Sequence, residues 1–285
     1  MRSGTVPRHG PRRLTSVLAT CALLIGSTAQ QVAHAADEAD EKDAQVRAHS
    51  TPMGSQIERV EKSDRESTSD EESEADASRD SDVLGIDVSG WQRDVDWEYW
   101  WDEGKRFAFV KATEGTGYTN PYFTQQYNGS YDVGMIRGAY HFALPDRSSG
   151  AAQANFFIDN GGLWSGDGKT LPGVADLEYN PYGEDCYDKS ESEMVDWIQD
   201  FHDTYADRTG RYPIFYTSTS WWEKCVGDEH DFGETAPLWI ARYSDRVGDL
   251  PSGWHYHSFW QYTDDPIDKN EFNGTRSQLR AIAKG

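Results

Sequence analysis

From Val83 onward the chain repeats one pattern, and no other feature limits its folds so strongly. A short apolar run ends in a turn, and most runs are followed by a helix-like stretch. The runs are VLGIDVS (83–89), FAFVKAT (107–113), MIRGAYHF (135–142), LPGVADLE (171–178), YPIFYTST (212–219), PLWIARY (237–243) and HSFWQYT (257–263). Runs apolar almost throughout fit strands covered on both faces. Strands alternating with helices read as parallel strands joined by crossovers. The clearest helix is SESEMVDWIQDFHDTYADRTG (190–210), with Ser at its cap, Glu three residues on and Gly at its end. The last two runs have no long helix between them. The expected fold is α/β, an irregular TIM-like β/α barrel with fewer helices in its last third, over residues 83–285.

The first 82 residues read differently. Arg2, Arg8, Arg12 and Arg13 precede the apolar stretch LTSVLATCALLIGSTA, and Ala33-His34-Ala35 follows. This is the layout of a secretory signal peptide over 1–35, and its apolar part is short for a membrane span. Cys21 follows "LAT", which does not suit a lipoprotein site. Residues 36–82 hold sixteen acids against six Lys and Arg and no aromatic residue. Such a composition predicts a disordered acidic linker or pro-segment. It would serve as a solvated spacer or as an inhibitor.

The signal arginines and the linker's net −10 leave −16 on the remainder of a chain whose net charge is −22. That acidity argues against nucleic acid or an anionic membrane as partner. Two cysteines remain after export, Cys186 and Cys225, and one disulfide between them is the simplest reading. Neither cysteine has a Cys or His companion at zinc spacing, so neither a metal nor a cofactor is expected.

Polar groups collect at the ends of the apolar runs, where a barrel places its working residues. They are Asp87, Glu114, Tyr140, His141, Asp176, Glu178, Tyr216, Trp239, Arg242 and Gln261, with Asp268 shortly after the last run. Asp176 and Glu178 are two apart on a strand, so they face one side, with Cα atoms roughly 6.5–7 Å apart. Carboxyls so close cannot all ionise freely, and one becomes a proton donor near neutral pH. Paired acids among aromatic walls suit glycosidic cleavage.

The ordered motifs GIDVSGWQ, FVKATEG, RGAYHF, DLE, LWIARY, WQYT and IDKNEF resemble glycoside hydrolase family 25, the lysozymes of the bacterial and fungal muramidase type. The resemblance spans the whole of 83–285. It implies hydrolysis of the β-1,4 bond from N-acetylmuramic acid to N-acetylglucosamine in peptidoglycan. The signal layout places that activity outside the cell, and nothing in the sequence demands more than a monomer. By the family pattern Glu178 is the general acid and then the base. Asp176 orients the substrate's 2-acetamido group, which attacks the anomeric carbon, and Asp87 and Asp268 complete an acidic floor. Tyr140, His141, Tyr216, Trp239, Arg242, Gln261 and Glu114 are the expected substrate contacts. Direct attack by Asp176 and inversion through water are the alternatives to substrate assistance. The chitinase family carries a further Asp two residues before the pair, where this chain has Val174. A barrel that only binds wall material would be marked by loss of an acid, and all four are present.

Overall fold

The computed structural model describes residue 1 and residues 22–65, 83–228 and 230–285. The basic start of the expected signal, Cys21 and the linker segment 66–82 lie outside the described residues. The chain divides into two units, Met1–Glu41 and Lys42–Gly285. The described part of the first is the N-terminal stretch of helix α1 (Ala22–His49).

The second unit holds the last turns of α1 and helix α2 (Ser55–Arg65), then the barrel. Its strands are β1 (Val83–Val88), β2 (Phe107–Glu114), β3 (Tyr118–Thr119), β4 (Ile136–Phe142), β5 (Val174–Asp176), β6 (Ile214–Thr217), β7 (Leu238–Ala241), β8 (Phe259–Thr263) and β9 (Lys269–Phe272). Its helices are α3 (Trp97–Asp102), α4 (Phe123–Asp132), α5 (Gly150–Phe157), α6 (Glu191–Thr209), α7 (Thr219–Cys225) and α8 (Arg276–Lys284).

The sheet runs β1-β9-β8-β7-β6-β5-β4-β2 and closes because β1 also pairs with β2. Eight strands thus form a barrel, and the short β3 adds to the rim of β2. Every neighbour around the ring is parallel except β9, which runs antiparallel to both β1 and β8. No run in the sequence analysis corresponds to β9. Its sequence, KNEF, alternates half-buried and buried residues, the period-two pattern of a strand with one face inward.

All eight residues of β2 are buried, as expected of a strand covered on both faces. The barrel interior is filled by rings. Phe109 stacks on Trp239 at 4.3 Å between centroids, and Phe259 meets both Phe107 and Phe109 edge-on or tilted. Gly138 on β4 makes room for this packing: a Cβ there would come within 2.6 Å of the Phe109 ring. Outside the sheet, α6 begins with a reciprocal capping box between Ser190 and Glu193 and ends at Gly210 with φ +73°. Its inner face is Met194, Val195, Ile198, Phe201 and Tyr205, at helical spacing. Cys186 and Cys225 form a disulfide that ties the loop after β5 to the end of α7.

One stretch differs from the sequence expectation. Residues 42–65 fall within the expected disordered linker, yet they are helical apart from a turn at 50–54. Val46, Met53 and Ile57 are 3%, 2% and 1% exposed. Three apolar side chains suffice here because a groove of the barrel receives them, and their spacing lies hidden in a strongly acidic average.

Candidate active site

Strand register decides which side chains reach the barrel mouth. Asp176 ends β5 and lies beside Phe142 of β4 and Tyr216 of β6. Glu178 follows two residues on, to the same side. Asp87 comes from β1, and Asp268 stands just before β9. The Asp87 N–H donates to the Asp268 carbonyl at 3.2 Å. Asp87, Asp176 and Glu178 are 0% exposed and Asp268 is 8%.

Burial pushes every one of these acids upward, since it removes water from the charged form. Asp87 rises to about 6, held there by hydrogen bonds from Asn270 and Gln261. Glu178 rises to about 8, restrained by backbone donors and by the charge of Lys111. Asp176 and Asp268 go well above the usual carboxylate range, by burial first and then by the charges of Glu178 and Asp87 respectively. Both Asp176 oxygens, Glu178 Oε2 and Asp87 Oδ1 have no fixed donor among the described residues. Asp176 and Glu178 are close enough for the charge of one to raise the other.

A hydrogen-bonded floor fixes Asp87. Its Oδ2 accepts from Gln261 Nε2 at 2.9 Å and from Asn270 Nδ2 at 2.7 Å. Gln261 Oε1 accepts from Tyr216 Oη at 2.6 Å and Tyr243 Oη at 2.9 Å. Asn270 Oδ1 accepts from Trp239 Nε1 at 2.9 Å. Tyr140 faces the group as well: its hydroxyl is pushed far up by burial and by the charges of Asp87, Asp176, Asp268 and Glu178.

Lys111 and Glu114 share the mouth because of a bulge. Three apart on a regular strand, they would face opposite sides. The pairing of β2 with β4 shifts between Lys111 and Thr113, which turns both inward. Lys111 Nζ meets Glu114 Oε2 at 2.6 Å, and both side chains are buried. Tyr182, from the loop after β5, donates to Glu114 Oε1 at 2.5 Å.

Two expected substrate contacts are elsewhere. His141 points out of the barrel, because it neighbours the inward Tyr140 on the strand. Its Nδ1 meets Thr113 Oγ1 at 2.7 Å, its Nε2 meets Gln153 Oε1 at 2.9 Å, and its ring stacks on Phe201. Burial holds it neutral, with its pKa lowered to about 4. Arg242 also points away: its guanidinium lies against Gly248, and the chain's next residue, Tyr243, takes the inward place. Trp239 lies deeper than a sugar wall would, between Phe109 and Asn270, and reaches the site through Asp87's partner. Tyr243, Asn270, Lys111 and Tyr182 are the site residues the sequence reading left out. Alternation from Trp239 through Ala241 would have found Tyr243.

An acid that stays protonated near neutral pH, with a second carboxyl against it at the mouth of a β/α barrel, is equipped to protonate a leaving glycosidic oxygen. The class of protein so defined is a glycoside hydrolase. Comparison with known proteins gives the family: the model for glycosyl hydrolases family 25 matches residues 86–270, and the chain belongs to that family of lysozymes. It is 44% identical to lysozyme M1 of Streptomyces globisporus over 71% of this chain and 72% of that one. It is 46% identical to an N,O-diacetylmuramidase of Arthroderma benhamiae, over 73% and 89%. Among solved structures, the muramidase of Acremonium alcalophilum superposes with a TM-score of 0.70 at 52% identity. That match covers 71% of this chain and 99% of the other.

Proposed function

We propose that the barrel hydrolyses the β-1,4 bond between N-acetylmuramic acid and N-acetylglucosamine in peptidoglycan, with Glu178 as the proton donor. The observation that carries the assignment is geometric: Glu178 follows Asp176 by two residues on one side of the chain at the barrel mouth, with Asp87 and Asp268 paired beside them. A carboxyl protonated at pH 7 can give its proton to the leaving oxygen, and the resulting carboxylate can then take one from water. In this reading Asp176, two residues before Glu178 and on the same side of the chain, orients the 2-acetamido group of the bound sugar. The acetamido oxygen attacks the anomeric carbon as the glycosidic bond breaks and the proton from Glu178 goes to the departing oxygen. Water then opens the cyclic intermediate, Glu178 takes its proton, and the product keeps its configuration. Asp87, held by Gln261 and Asn270, and Asp268 form the acidic floor. Tyr140 and Tyr216 supply flat faces near the pair.

The names of the relatives support the substrate class. We take residues 1–35 as an export signal and 83–285 as the catalytic domain, acting as a secreted monomer on glycan strands without nucleic acid or membrane partners. Among the described residues no helix is long and apolar enough to cross a membrane.

Proton NMR of the anomeric signals during digestion of a soluble glycan tests the mechanism. Initial appearance of the β-anomer, with loss of turnover in both Glu178→Gln and Asp176→Asn, is the expected result. Initial appearance of the α-anomer would replace substrate assistance by direct attack of water.

A further inference from the structure

We propose that residues 42–57 are a built-in inhibitor that occupies the catalytic mouth, so that the chain is latent until an endoprotease separates this segment from the barrel. The proposal rests on the hydrolase reading above and concerns the regulation of that site.

The segment is fastened along its length. Asp43 accepts from Tyr122 Oη at 2.7 Å and pairs with Arg93 at 2.5 Å. Val46 lies against Gly90. Trp91 Nε1 donates to the Ser50 carbonyl at 3.2 Å. Thr51 is held on both sides of its backbone: its N–H donates to Glu114 Oε2 at 2.9 Å, and its carbonyl accepts from Lys111 Nζ at 2.5 Å. The Thr51 hydroxyl lies 3.1 Å from Tyr182 Oη. Met53 and Ile57 join the main apolar core.

The decisive contact is at Gly54, whose N–H donates to Glu178 Oε1 at 2.7 Å. A backbone donor therefore sits on the carboxyl proposed to protonate the glycan. With the segment seated, Asp87, Asp176 and Glu178 have no exposed surface, and a polymer of sugars cannot reach them. Gly54 is also shaped for this place. Its φ is +74°, and a Cβ would fall 1.9 Å from Tyr243 Oη and 2.8 Å from both Gln261 Oε1 and Tyr216 Oη. Only a residue without a side chain brings the backbone this close to the floor.

The match to the Acremonium alcalophilum muramidase covers 99% of that chain and 71% of this one, the share that residues 83–285 make up, so a barrel of this family is built without a counterpart of the segment. As part of the same chain the segment acts at an effective concentration of order mM, which is lost when one peptide bond in 66–82 is hydrolysed and the piece diffuses away. That is why a cut, with no change in the barrel, switches the site on.

The test uses the full chain with a specific endoprotease site placed in 66–82. Release of reducing ends from peptidoglycan is measured before and after cutting, beside an uncut Gly54→Val chain. Amide hydrogen exchange at Thr51 and Gly54 is followed in parallel. We expect slow exchange at both amides in the uncut chain. Cutting and dilution should raise hydrolysis about tenfold or more, and uncut Gly54→Val should already work at the cut chain's rate. Equal and measurable hydrolysis before and after cutting overturns the proposal, and so do fast-exchanging amides in the uncut chain. Slow exchange without hydrolysis in any form instead overturns the hydrolase reading and upholds the seating of the segment.

Discussion

His141 offers a sharp test of how the barrel is built. If it belongs to the core, its removal should change the pH dependence of stability and leave sugar binding alone. Its ring is fully buried, with Thr113 on one nitrogen and Gln153 on the other. Gln153 Nε2 donates to the Leu144 carbonyl at 2.6 Å, which turns its Oε1 toward His141 as an acceptor. The neutral tautomer with hydrogen on Nε2 therefore fits, and burial opposes a second proton. The pKa falls from 6.5 to about 4. Above pH 6.5 both folded and unfolded chains carry a neutral imidazole, and the stabilisation is fully present. As the pH drops through 6.5 the unfolded chain takes up a proton that the folded chain refuses, so stability is lost until about pH 4. The span corresponds to about 3 kcal/mol. Urea unfolding of the wild type and of His141→Gln at pH 7 and pH 4 isolates this contribution, because the titration of every other group cancels in the difference. The wild type should lose about 3 kcal/mol more than the variant between the two pH values, while the variant's KM stays at the wild-type value. Parallel losses, or a raised KM with unaltered stability, would refute the placement.

Other perturbations probe the staples, the floor and the surface. Cys186→Ser with Cys225→Ser opens a loop of 39 residues, and the chain-entropy relation gives a loss of about 4 kcal/mol, readable from urea midpoints; an unmoved midpoint would contradict it. Asn270→Ala removes a donor from Asp87 and leaves Trp239 Nε1 without its acceptor. It should cost about 1–3 kcal/mol of stability and move the acid limb of kcat/KM to higher pH, because Asp87 loses a bond that holds it down. Activity on whole cell walls should rise with moderate salt, since an acidic domain and polyanionic wall repel at low ionic strength; a steady fall from near-zero salt would refute this.

Much of the barrel was legible in the chain because burial on both faces leaves unbroken apolar runs, as in FAFVKAT and PLWIARY. The acids were legible because they interrupt such runs at their ends. What escaped did so for physical reasons. KNEF carries only one large apolar residue, and it became a strand because β1 and β8 both offer it a partner. The inward turn of Glu114 depends on a bulge at Ala112 that no local propensity marks. His141 and Arg242 were assigned by their chemistry alone; alternation from Tyr140 and Trp239 puts both on the outer face. The 42–57 segment was masked by averaging, since Val46, Met53 and Ile57 are few among many acids. Its fit depends on a groove that only the folded barrel provides.

The most direct test of the central claim is the identity of the sugar end that the enzyme creates. Bacterial peptidoglycan would be digested with the chain freed of its N-terminal segment, the new ends reduced with borohydride, and the reduced sugar identified by mass spectrometry, with Glu178→Gln run beside it. The account predicts muramitol ends that disappear in the variant. Glucosaminitol ends, or muramitol released undiminished by Glu178→Gln, would contradict it.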